Sequence, residues 1–227
     1  MKTVDLKTSS VRELNQQLHD QKADLTEAEW VITNPQGAHN IAVGLDSKIV
    51  LDVHGHAGYF CAGMNKEAEI TVHGNVGQGV AENMMSGKVH IKGDASQAAG
   101  ATAHGGLLVI DGNAGARCGI SMKGIDIVVK GSVGHMSCFM GQSGSLVVCG
   151  DAGQALGDSL YEVHIYVKGS VQSLGADCVE KEMRDEHIVE LKGLLDKAGC
   201  DDDPAAFKRY GSARQLYNFK VDNASAY

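Results

Sequence analysis

Glycine recurs at Gly55, Gly74, Gly93, Gly112, Gly131, Gly150 and Gly169, each 19 residues after the last, and no other feature restricts the possible folds so strongly. A fixed period of this size is the mark of a repeat architecture, in which each unit buries its apolar face only against its neighbours. The residues upstream share the register. Four and two positions before each glycine stand Leu51/Val53, Ile70/Val72, Val89/Ile91, Leu108/Ile110, Ile127/Val129, Leu146/Val148 and Ile165/Val167, all aliphatic. Alternation at period two describes a strand with one buried face. The position before the glycine (His54, His73, Lys92, Asp111, Lys130, Cys149, Lys168) is mostly polar and points outward, so Lys130→Asp is expected to be tolerated where Val129→Asp is not.

The turn that follows is equally regular. His56, Asn75, Asp94, Asn113, Ser132, Asp151 and Ser170 come directly after the glycines. Asn, Asp and Ser suit such corners because their side chains bond nearby backbone groups. Next come Ala57, Val76, Ala95, Ala114, Val133, Ala152 and Val171, small and apolar, where the chain turns inward again. A second small column, Ala62, Ala81, Gly100, Gly119, Cys138, Gly157 and Ala176, indicates a tight bend in every coil.

The pattern predicts an all-β chain, a single-stranded right-handed parallel β-helix of seven 19-residue coils with helical N- and C-terminal flanks. At strand spacing, seven coils make a prism about 34 Å long. Proline is confined to Pro35 and Pro204, as expected if every interior strand needs its N–H groups. The expected organisation is a helical flank over 1–33, the β-helix over 34–178, and a helix with an extended tail over 179–227. Ser10 to Glu13 matches a capping box ahead of Val11, Leu14 and Leu18. Val179 to Ala198 reads as an amphipathic helix stopped by Gly199, and Asp203-Pro204 opens a short helix towards Tyr210.

Several function classes are disfavoured. A net charge of −8 without a Lys/Arg stripe gives nucleic acid no footprint. No apolar run is long enough to span a membrane, the N-terminus lacks a signal-peptide core, and the six cysteines fit a reduced, cytoplasmic protein. No CxxC pair suggests zinc or an iron–sulfur cluster. His54, His73 and His56 approach one another but share their face with Lys92 and Lys130, so they read as surface ladder residues. Asp94 and Asp151 lie three coils apart, about 14 Å, too far for a carboxylate pair. No GxSxG or P-loop occurs. The residues themselves therefore indicate no catalytic, cofactor-binding or metal-binding position.

The repeated pattern Gly112-x-x-Gly115-x-x-x-Gly119 and Gly150-x-x-Gly153-x-x-x-Gly157 resembles the GXGXG family, the β-helix domain at the C-terminal end of the glutamate synthase large subunit. The likeness covers about 34–177. The flanks around Val11-Arg12-Glu13-Leu14, Asn34-Pro35-Gln36-Gly37 and Arg209-Tyr210-Gly211-Ser212 are most similar to the β-helix subunit of N-methylglutamate synthase. That resemblance implies a non-catalytic subunit bracing two partners and helping to shape the path of ammonia between them. The partners are a class II glutamine amidotransferase-like subunit and an FMN-binding synthase-like subunit, in a higher hetero-oligomer. The complex would convert methylamine and glutamate to N-methylglutamate and ammonia. FMN, with an iron–sulfur cluster as a second candidate group, belongs to a partner. The alternatives are the β-helix subunit of formylmethanofuran dehydrogenase and a glutamate synthase subunit proper. For docking, the aromatic and Arg-rich tail is the candidate surface: Phe207, Arg209, Tyr210, Arg214, Tyr217 and Phe219. A fold-back of this tail over the last coil is the competing reading.

Overall fold

In a computed structural model, residues 1–21 and 28–215 are described. Eleven strands of this part form one sheet, in which seven successive strands are flanked by two more at the N-terminal end and two at the C-terminal end. The seven strands β3 (Ile49–His54), β4 (Glu69–Val72), β5 (Lys88–Ile91), β6 (Leu107–Ile110), β7 (Lys123–Val129), β8 (Ser143–Val148) and β9 (His164–Val167) are parallel. Their register follows the glycine period: Leu51 lies opposite Ile70, Ile70 opposite Val89, and so on to Ile165. Both aliphatic columns are buried along their whole length. The second inward column also holds, since Ala57, Val76, Ala95, Ala114, Val133, Ala152 and Val171 form a continuous line of parallel bridges.

The N-terminal segment departs from the expectation of a helical flank. It contains α1 (Val11–His19), but also β1 (Lys2–Asp5) and β2 (Ala28–Thr33), which extend the parallel stack ahead of β3. Trp30 pairs with Leu51 and Ile32 with Val53, a separation of 21 residues, which a 19-residue search passes over. Register places Asn34 opposite Gly55, and Asn34 adopts a left-handed φ of 54°. The capping box is formed: Ser10 Oγ accepts the Glu13 N–H, and Glu13 Oε2 accepts the Ser10 N–H. Leu14 and Leu18 carry α1 into the main core beside Trp30 and Ile32.

The other end also differs from its expected form. β10 (Cys178–Lys181) occupies the start of the expected helix, so α2 begins at Asp185 and runs to Ala198. The reason is edge pairing: β11 (Lys208–Ser212) lies antiparallel between β9 and β10 and satisfies the last parallel strand. The short helix after Asp203 is a single 3₁₀ turn, Pro204–Ala206. Gly199 ends α2 in the left-handed region at φ 63°.

α2 has a definite seat. The middle outward position of successive strands reads Asp52, Thr71, His90, Val109, Val128, Val147 and Tyr166. It is polar for three coils and apolar for four. The apolar part forms a second core with Leu191, Leu194, Leu195 and Ala198 of α2, and with Phe207. The outward face is therefore polar over the first three of these coils and apolar, but covered by α2, over the last four.

Candidate functional site

The predicted turn glycines are brought together as one column, and the corner side chains explain why nothing larger fits. Asn75 Oδ1 accepts the Asp94 N–H, Asp94 Oδ1 the Asn113 N–H, Asn113 Oδ1 the Ser132 N–H, Ser132 Oγ the Asp151 N–H and Asp151 Oδ1 the Ser170 N–H, at 2.7–2.9 Å. Each corner side chain thus fills the space beside the next coil's glycine. A Cβ at Gly112 would lie 2.3 Å from Asp94 Oδ1 and 2.8 Å from Gly93 O. The column is a structural device.

Opposite this corner, the small column marks a bend of unusual backbone. In seven successive coils, alternate residues are left-handed: Asn40, Ala42 and Gly44 in the first, Phe60, Ala62 and Met64 in the second, Met136, Cys138 and Met140 in the sixth. Their N–H groups bond alternately forward and back, Phe60 N to Gln78 O, Ala62 N to Ile41 O and Met64 N to Glu82 O. A left-handed residue with a Cβ costs about 1–2 kcal/mol, so bulky residues there are unexpected. Tyr59, Phe60 and Met64 are nevertheless 50%, 39% and 52% exposed, with the Tyr59 ring stacked on His39 at 4.5 Å and edge-on to Phe60. Met85 and Met140 are also exposed. The 19-residue pattern does not mark these residues. Their signal was large apolar side chains in columns where other coils place small or polar residues such as Gln78, Ala98, Asn83 and Thr102.

The tail residues chosen from sequence divide. Phe207 and Tyr210 are buried within the chain, Phe207 under α2 and Tyr210 in the main core. Arg209 Nε donates to Glu182 O, and Arg214 pairs with Glu162 at 2.7 Å. Both arginines line a polar groove of about 450 Å³ at the C-terminal end of the stack, with His164, Glu180 and Arg184. Tyr217 and Phe219 lie outside the described residues.

Beside this groove, Glu190 of α2 accepts hydrogen bonds from Ser145 Oγ at 2.6 Å, and from Tyr166 OH and His164 Nδ1 at 2.9 Å. Burial opposes its ionisation, but the hydrogen bonds from His164 and Ser145 outweigh it and hold the carboxyl at about 2. Burial, with the charge and hydrogen bond of Glu190, raises the Tyr166 phenol. Ser145 bonds the carboxylate instead of the imidazole, so the group is an anchor for α2 and not a nucleophile–base pair.

Asp111 is a second hub, reached by Lys130 at 2.8 Å and His90 at 2.9 Å. Burial pushes its carboxyl up, and hydrogen bonds from Lys130 and His90 overcome this to leave it at about 2. His90 is lowered as well, because its own burial exceeds the pull of Asp111.

Among the described residues, two clusters could hold a metal ion. In one, the exposed rings of His54 and His73 stack at 4.6 Å, and His73 Nε2 meets Asp52 Oδ1 at 2.6 Å. His56 stands apart from it, its Nδ1 accepting the Asn75 N–H. The other joins Cys149, Cys200 and Asp202. Among the described residues, no helix is long and apolar enough to cross a membrane.

Comparison with known proteins gives one informative match. The chain is 62% identical to Protein GlxC of Rhizobium meliloti (strain 1021) over 228 residues, covering 100% of both chains. No family model matches, and no solved structure matches.

Proposed function

The chain belongs to the family of Protein GlxC, and from that premise we propose that it is a non-catalytic structural subunit of a glutamate-synthase-like multisubunit enzyme. Within that class we propose N-methylglutamate synthase, on the resemblance of the flanking motifs. In this reading the β-helix braces an amidotransferase-like subunit against an FMN-binding synthase-like subunit and shapes the route of ammonia between them. Flavin chemistry belongs to the partner, and the complex works in the cytoplasm.

One observation carries the scaffold reading. Phe60 and Met64 hold large apolar side chains outward from left-handed backbone, at φ 59° and 56°. Strain of this kind persists where the surroundings or a function demand it, and exposed aromatic and Met side chains suit a protein interface. The groove at the opposite end, lined by Arg184, Arg209 and Arg214, offers a second and polar surface. Two chemically different surfaces at opposite ends fit a body placed between two partners.

The test is purification of the native complex through a tag on this chain. An FMN-containing subunit and a class II amidotransferase-like subunit should accompany it, with N-methylglutamate formed from methylamine and glutamate. Tungsten or molybdenum in the complex, or turnover by the isolated chain, would refute the proposal. Glutamine-dependent glutamate formation in place of the methylamine reaction would retain the scaffold and reject the finer assignment.

A further inference from the structure

We propose that Cys149, Cys200 and Asp202 form a binding site for a thiophilic divalent cation, zinc in the first instance, with water as the fourth ligand. The three residues come from separate places in the fold. Cys149 follows β8 on the outward side of the stack, and Cys200 follows Gly199 at the end of α2. Asp202 lies two residues further on. The cysteines are 51 residues apart in sequence, which is why a search for paired cysteines misses them.

The distances fit a metal tetrahedron. Cys149 Sγ and Cys200 Sγ are 3.8 Å apart, and Cys200 Sγ lies 3.5 Å from Asp202 Oδ2. Zinc bonds of about 2.3 Å to sulfur and 2.0–2.2 Å to oxygen require tetrahedral edges of about 3.8 Å and 3.6 Å. A disulfide requires about 2.05 Å. All three ligand atoms lie within 4.8 Å of one another.

The surroundings match as well. Lys168 Nζ donates to Asp202 Oδ1 at 2.7 Å, which leaves Oδ2 turned towards the sulfurs. Such a partner behind a metal ligand fixes its orientation. Two thiolates and a carboxylate carry −3, and the cation with Lys168 supplies +3, so the half-buried site is neutral. Lys130 Nζ donates to Gly199 O at 3.3 Å and holds the loop in place. Binding breaks two S–H bonds, forms two metal–sulfur bonds and releases two protons to solvent. Soft thiolate ligands select zinc over magnesium or calcium. The ion would tie the end of α2 to β8 and so secure the helix on Val109, Val128 and Val147.

The reduced, full-length chain would be titrated with Co²⁺ and then Zn²⁺ under anaerobic conditions. The expected result is one equivalent of Co²⁺, with thiolate charge-transfer bands and the visible bands of a tetrahedral ion, displaced by Zn²⁺. Cys200→Ser and Asp202→Asn should each weaken Zn²⁺ binding at least about ten-fold, and Lys168→Met should weaken it by about ten-fold with the fold intact by circular dichroism. Zinc should raise the melting temperature of the wild type and not of Cys149→Ser/Cys200→Ser. The proposal fails if the cobalt spectrum shows only nitrogen and oxygen ligands, as the Asp52–His54–His73 cluster would give. It fails equally if zinc binds the double variant as tightly as the wild type. The spectrum of the wild-type protein decides even if a variant does not fold.

Discussion

Asp94 Oδ1 accepts the N–H of Asn113, 19 residues later, at 2.7 Å, and in doing so stands 2.3 Å from the point where a Cβ on Gly112 would lie. The glycine column and the polar corner column are therefore one requirement. Gly112→Ala should cost about 1–3 kcal/mol, as overpacking does. Chemical denaturation checks the size. In Asp94→Ala/Gly112→Ala the two costs should fall short of their sum, because the first change removes the obstacle met by the second. Strict additivity would show that Gly93 O, at 2.8 Å, sets the limit alone.

Val129 is fully buried between Ile110 and Val148, and Val129→Asp should prevent folding at neutral pH by burying an unpaired carboxylate. The neighbouring Lys130 is less tolerant than its outward position implies. It bonds Asp111 at 2.8 Å and Gly199 O at 3.3 Å. Lys130→Asp should fold but lose about 1–2 kcal/mol, and Lys130→Met should lose less. Thermal melts of the three proteins decide the order.

Glu190 gives a pH-dependent anchor. Its folded-state pKa of about 2 lies below the reference value of 4.5. The unfolded state therefore binds the proton first as pH falls, and the stabilisation is complete above about 4.5 and lost as pH drops towards 2. With the side chain 34% exposed, screening reduces the contribution to about 1–2 kcal/mol. The stability gap between wild type and Glu190→Gln should be constant near neutrality and close through that acid window. A gap that widens in acid would refute the anchor.

Removal of every residue after Ala206 deletes β11 and uncovers the edge of β9. The truncated chain should melt at lower temperature and aggregate on its own, before any partner is added. Tyr210→Ala should reproduce part of the loss, about 3–5 kcal/mol for a buried aromatic. A truncated chain that keeps its melting temperature but no longer assembles would restore the tail as a docking arm.

Phe60→Gly separates stability from assembly. Relief of the left-handed backbone should leave the isolated chain equal or up to about 1 kcal/mol more stable. Recovery of the partner subunits should fall. Unchanged assembly would move the interface away from this surface.

The sequence by itself determined the repeat: the period, the two aliphatic columns, the corner residues and the parallel register. All of these are local patterns copied from coil to coil, and stacking gives each column the same environment throughout, so one register fixes seven strands. Chain ends carry no such repetition. β2 escaped because its coil is 21 residues long and has Asn34 where the next has Gly55. Cys178–Lys181 became a strand because a non-local partner, β11, was there to pair with it. Tertiary structure alone decided that α2 would cover Val109, Val128, Val147 and Tyr166, since a run of valines on the outer face has no meaning until a helix lies upon it. It alone brought Cys149 to Cys200 and Glu190 to Ser145, His164 and Tyr166, because these contacts join α2, or the loop just past its end, to β8, β9 or the residue just past β8, 24 to 51 residues distant. The exposure of Phe60 and Met64 was likewise settled by the backbone, whose alternating left-handed bend turns them away from the core.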